Sequence, residues 1–100
     1  MAYRALEKLI NLHDGYRGVF RTSLGELLLI QDGEEPYLLA RRCPHQGALL
    51  DEGRVSDGVI TCPWHQLRFS LRDGRCVNGG CKALAIHSLA YEGNTIGVVE

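Results

Sequence analysis

A chain of 100 residues, 45% hydrophobic and 23% charged, has material for one domain with one modest core and carries no polar low-complexity tract of the kind that stays disordered. Its net charge of −1 supplies no basic stripe, so the electrostatic footprint of a nucleic-acid binder is missing. No run approaches the roughly 18 to 20 apolar residues of a membrane span, and the opening MAYRALEKLI sets Arg4, Glu7 and Lys8 where a signal peptide needs an unbroken apolar segment. The expectation is a cytoplasmic protein without nucleic-acid or membrane partners, in which four cysteines act as ligands or reduced thiols rather than as disulfides.

In chain order, residues 3 to 10 fit a short helix or an edge strand, and His13-Asp14-Gly15 supplies a turn. Three β-like runs follow, YRGVFRT, GELLLIQ and PYLLARR, with Asp32-Gly33 as a hairpin signal between the second and third. Leu27 to Ile30 is apolar without alternation, which suggests a strand covered on both faces. After Cys43 the pattern breaks into loops until Asp57-Gly58 turns into VITC, which delivers Cys62. In the next strand Leu67, Phe69 and Leu71 alternate with Arg68, Ser70 and Arg72, so one side faces a core. Asp73-Gly74, the segment VNGGCK, the run ALAIHSLAY, the turn Glu92-Gly93-Asn94 and the strand TIGVV complete the chain. Short strands with glycine turns and no helical period predict an all-β fold, an antiparallel β-sandwich or small barrel, as a single domain over residues 1–100.

Residues 43 to 65 carry the chemistry. Cys43 and His45 form a C-x-H pair, Cys62 and His65 a C-x-x-H pair, and both pairs open with Cys-Pro. Thiolate and imidazole suit zinc, copper and iron–sulfur centres, whereas magnesium and calcium want oxygen. Structural zinc sites commonly pair Cys with Cys and His with His, but here each loop contributes one of each. A two-iron cluster has two ends that each need two protein ligands: Cys43 and Cys62 can take one iron while His45 and His65 take the other, the arrangement of a Rieske centre.

C-P-H-Q-G-A, sixteen residues from His45 to Cys62, and then C-P-W-H resemble the Rieske family motif. The D-G turn before the second Cys, L-x-x-G-x-x at 50 to 55 and F-x-L-x-x-G at 69 to 74 are similar to the small ferredoxin members. The resemblance implies stacked antiparallel sheets with a small cluster-binding subdomain from 43 to about 70. It also implies one [2Fe–2S] cluster held by Cys43, His45, Cys62 and His65. Two thiolates and two neutral imidazoles leave the oxidised cluster neutral, which places the potential within roughly −150 to +300 mV.

High-potential members carry an extra Cys in each loop and a serine and tyrosine that bond the sulfurs; those places hold Ala48, Trp64, Leu67 and Phe69 here, so the low end, about −150 mV, is expected. A low-potential centre resembles the ferredoxins that pass electrons from a flavin-dependent reductase to a terminal ring-hydroxylating oxygenase: a non-catalytic carrier, expected as a monomer. It would dock at the His45 and His65 edge among Pro44, Gln46, Trp64 and Gln66, with Trp64 shielding the cluster.

Two departures from the family pattern stand out. Gln66 occupies the place of the glycine that usually follows the second His, so the loop must turn without glycine's freedom. Residues 77 to 81, VNGGC, replace a proline-rich loop that covers the cluster. Cys76 and Cys81 read as two buried or half-buried reduced thiols, with a disulfide or redox switch as the alternative, His13 and His87 as structural, and Arg41, Arg42 and Arg68 as solvated surface charges.

Among other functions, an oxygenase needs a further domain with its own iron site. A nitrite-reductase-type small subunit, a cluster-based redox sensor and a zinc-binding interaction module remain as alternatives.

Overall fold

The computed structural model describes residues 2–44, 47–63, 66–79 and 82–100, in which every regular element is a strand or a single 3-10 turn. The order is β1 (Tyr3–Lys8), a 3-10 turn (Leu9–Asn11), β2 (Arg17–Thr22), β3 (Gly25–Asp32), β4 (Glu35–Ala40), a second 3-10 turn (Leu50–Glu52), β5 (Arg54–Ser56), β6 (Val59–Thr61), β7 (Arg68–Ser70), β8 (Ile86–His87), β9 (Ala90–Glu92) and β10 (Thr95–Val99). All pairings are antiparallel, in three sheets: β1-β10-β9, β2-β3-β4-β8 and β5-β6-β7. The all-β expectation holds.

The apolar run Leu27–Ile30 explains how the sheets stack. Successive side chains of a strand point to opposite faces, and here both faces are covered. Leu28 and Ile30 join Leu39, Leu50, Ile60, Phe69, Leu71 and Leu84 in one core; Leu27 and Leu29 join Leu38, Ile96 and Val98 in another. The β2-β3-β4-β8 sheet is therefore a shared middle layer, with β10 on one side and β6 and β7 on the other. Fully burying each such leucine contributes roughly 1.5–3 kcal/mol, so β3 is the strand on which both cores depend.

The turns behave as their residues predict. Asp57 (φ 53°) and Gly58 (φ 73°) both lie in the left-handed region that a two-residue hairpin demands. The turn is held from the middle sheet, because the Gly58 N–H donates to Asp32 Oδ2 at 2.8 Å. Gly74 (φ 81°) lies against the Leu84 carbonyl, where a β-carbon would collide, and exchanges bonds with Ser70 and Leu84 that pin the end of β7 to the chain entering β8.

The run ALAIHSLAY does not form one strand. Ile86–His87 pairs with β4 and Ala90–Glu92 with β10, so the chain changes sheets at Ser88-Leu89, and half-buried Leu89 packs on the second core. At the other end, residues 3 to 10 form an edge strand and a turn, tied to the start of β2 by Tyr16, whose hydroxyl donates to Glu7 Oε2 at 2.8 Å. Burial, with the Glu7 carboxylate beside it, pushes that phenol up to about 12.

Candidate metal centre

The two cysteine loops are built alike. In the first, Arg42 bridges to Leu49, the Cys43 N–H donates to the Ala48 carbonyl at 2.8 Å, and the Gly47 N–H donates back to the Cys43 carbonyl at 2.8 Å. In the second, Thr61 pairs with Arg68 and the Cys62 N–H donates to the Leu67 carbonyl at 2.7 Å. Each is a hairpin loop running from Cys to the residue five further on, closed by the same bond. The fifth residue is left-handed in both, Gly47 at φ 74° and Gln66 at φ 56°.

Cys43 and Cys62 hold the first position of their loops, are 3% and 2% exposed, and belong to one core with Leu50, Ile60 and Phe69. The structure thus brings these two predicted ligands to equivalent places. His45, Gln46, Trp64 and His65 lie outside the described residues, as does Cys81.

Three of the four positions read for sulfur-bonding groups are apolar in structure as in sequence. Ala48 and Phe69 are buried, half-buried Leu67 spends its carbonyl on closing the second loop, and none of the three side chains carries a hydroxyl or thiol. Half-buried Cys76 pairs through its backbone with Phe69, and its Sγ lies 3.9 Å from Asn78 Oδ1.

Arg41 departs from the sequence reading. Rather than facing solvent unpaired, it reaches Asp51 through Nε (3.1 Å) and Nη2 (2.8 Å) and Glu26 through Nη1 (3.3 Å), while its carbonyl accepts the Leu50 N–H at 2.8 Å. The pairing of β3 with β4 brings Glu26 alongside it, a proximity that local sequence does not reveal. Arg42 also has a local task, donating through Nη1 to the Gly47 carbonyl at 3.2 Å. Arg68 is exposed, as read from the sequence.

The Arg41 network clamps the base of the first loop and has a pH signature. The Arg41 guanidinium holds the Asp51 carboxyl below its ordinary range. A carboxylate depressed in the folded state stabilises above its unfolded pKa and loses that contribution as pH falls through the folded one. Asp51→Asn is therefore expected to lower the melting temperature at neutral pH, with the difference from the parent shrinking as pH falls below the ordinary aspartate range. Paired melting curves across that range check this, and a difference independent of pH would contradict it.

The sequence reading missed Asn78. Its Nδ2 donates to the Gln66 carbonyl at 3.0 Å and its Oδ1 accepts the Arg68 N–H at 2.8 Å, so one side chain spans the exit of the second loop. The available signal was Gln66 itself: a loop lacking its usual glycine needs an outside support. Beside it a groove of about 750 Å³ follows the exposed face of β5 to β7, lined by Arg54, Thr61, Pro63, Arg68 and Asn78 among others.

Two buried thiols at matched loop openings are soft donors, suited to an iron–sulfur group or zinc and unsuited to calcium or magnesium. Two such thiols, on loops built alike in an all-β frame, fit the chemistry of a metal-bearing β-protein. The chain belongs to the Rieske [2Fe-2S] domain family, whose model matches residues 7–91; the cofactor this implies is a Rieske-type [2Fe–2S] cluster.

Among curated relatives, apoptosis-inducing factor 3 of Mus musculus is 36% identical over 64 residues, which are 64% of this chain and 11% of that protein. This chain thus spans about a tenth of that relative's length. The ferredoxin component of the alkene monooxygenase system of Xanthobacter autotrophicus is 32% identical over 87 residues, covering 86% of this chain and 71% of that one. Among solved structures, the ferredoxin of carbazole 1,9a-dioxygenase from Nocardioides aromaticivorans superposes with a TM-score of 0.85 at 26% identity, covering 98% of this chain and 97% of that one.

Proposed function

We propose that this protein is a one-electron carrier that receives electrons from a flavin-dependent reductase and passes them to a terminal ring-hydroxylating oxygenase, with no catalysis of its own. The observation that carries this reading is the pair of matched loops, each opening with a buried cysteine. The similarity to two ferredoxins along most of the chain supports it. Cys43 and Cys62 hold one iron and His45 and His65 the other, with residues 43 to about 70 as the cluster-bearing unit. The docking edge is formed by the two histidines with Pro44, Gln46, Trp64 and Gln66. The protein's place of action is the cytoplasm. Among the described residues no helix is long and apolar enough to cross a membrane.

A bound [2Fe–2S] cluster supplies the one-electron couple; the protein sets its potential. Hydrogen bonds onto the sulfurs withdraw electron density and favour reduction. Ala48, Leu67 and Phe69 donate none through their side chains, so the expected potential is near the low end, about −150 mV.

The test is direct. Purified protein should be coloured, contain iron and acid-labile sulfide in equal amounts, and after reduction give the lowered average g of histidine ligation in electron paramagnetic resonance. Colourless protein with zinc and no sulfide would sink the reading. A potential well above zero would overturn the argument from the apolar surroundings alone.

A further inference from the structure

We propose that Asn78 is a positioning residue for the second cysteine loop: its amide holds Gln66 in the left-handed turn that glycine makes in the first loop, and so fixes the segment carrying Cys62 and His65. This rests on the reading that the loop binds the cluster.

The two loops provide an internal comparison. Both need a left-handed fifth residue, and the first meets this with Gly47, which has no β-carbon to oppose it. The Gly47 carbonyl is then held by the Arg42 guanidinium at 3.2 Å. At the matching step of the second loop stands Gln66, an exposed residue whose side chain disfavours that conformation. Its carbonyl is held at 3.0 Å by Asn78, and the same amide accepts from the Arg68 N–H at 2.8 Å. Leu67, whose carbonyl closes the loop on Cys62, is thereby bracketed on both sides.

Only a side chain with one donor and one acceptor on a short stem can make both bonds. Aspartate lacks the donor, and serine is too short to span Gln66 and Arg68. Asn78 is itself well placed, because the Val77 N–H donates to the Arg68 carbonyl at 2.8 Å and Cys76 pairs with Phe69. Residues 76–78 thus run alongside β7 and present the amide to the loop. This segment, without proline, grips the second loop through hydrogen bonds.

The experiment uses the cluster-loaded full chain in four forms: parent, Asn78→Ala, Gln66→Gly, and both together. In the parent background, Asn78→Ala should speed bleaching of the visible absorbance by excess chelator about tenfold. It should also shift or broaden the g values of the reduced cluster. In the Gln66→Gly background, where the turn no longer needs support, the same substitution should change bleaching by less than about twofold. A fifth form, Asn78→Asp, should behave like Asn78→Ala, since it cannot donate to the Gln66 carbonyl.

An equal effect in both backgrounds would show a general surface contribution and overturn the proposal, as would unchanged bleaching and spectra for Asn78→Ala. If the parent is colourless, the proposed function fails first. The clamp is then decided by urea unfolding of the same four proteins: a smaller loss in the folding equilibrium constant on the glycine background supports it, and an equal loss refutes it.

Discussion

Replacing Cys62 by serine is expected to abolish the cluster, with iron and sulfide per chain falling at least tenfold and the visible colour lost. The thiolate is the ligand that iron–sulfur centres require; a serine hydroxyl does not ionise near neutral pH and is a hard donor. Cys43→Ser should do the same, since Cys43 holds the identical step of its loop and is equally buried. Both serines also place a hydroxyl in a core site, which by itself costs about 1–3 kcal/mol. Cys43→Ala and Cys62→Ala avoid that burden and should lose iron just as completely. Cys76→Ser provides the contrast: it changes a half-buried thiol outside the two loops and should keep the parent's iron content. Iron retained in Cys62→Ala, or lost in Cys76→Ser, would mean that the donor set has been misassigned.

The second large effect is at Phe69. Its ring is fully buried in the core that also holds Cys43 and Cys62, and its backbone pairs with Ile60 of β6 on one side and bridges to Cys76 on the other. Phe69→Ala should destabilise the chain by about 3–5 kcal/mol. That is a large share of the roughly 5–15 kcal/mol that holds a domain together, and should lower the melting temperature by roughly 15–25 °C. Phe69→Tyr asks a different question. A hydroxyl that reaches a ligand sulfur bonds it more strongly once an electron has been added. A gain of about 1 kcal/mol in that bond on reduction raises a one-electron potential by roughly 40 mV. The expected result is that rise, read by redox titration. Lowered stability with an unmoved potential would show a hydroxyl buried without a partner and would remove Phe69 from the account of the low potential.

Much of the frame was legible in the sequence because it rests on local rules. The unalternating run Leu27–Ile30 announced a strand between two cores, and Asp57-Gly58 announced a hairpin that the left-handed angles of both residues then made. The matched Cys-Pro openings marked two loops that the hydrogen bonds of Cys43 and Cys62 then close in the same way. What escaped depends on contacts between residues far apart. Nothing near Arg41 points to Glu26 or Asp51, and the break of ALAIHSLAY between two sheets depends on which neighbours β4 and β10 leave uncovered. Asn78 lies twelve positions from Gln66, so only the folding of 76–78 alongside β7 reveals their bond.

The bonds that close the two cysteine loops join residues only five apart in sequence, and contacts this local form quickly and at small entropic cost. The hairpins belong to the scaffold, not to whatever it later binds. On the proposed function, a cluster would meet two cysteines already fixed in the core before it binds.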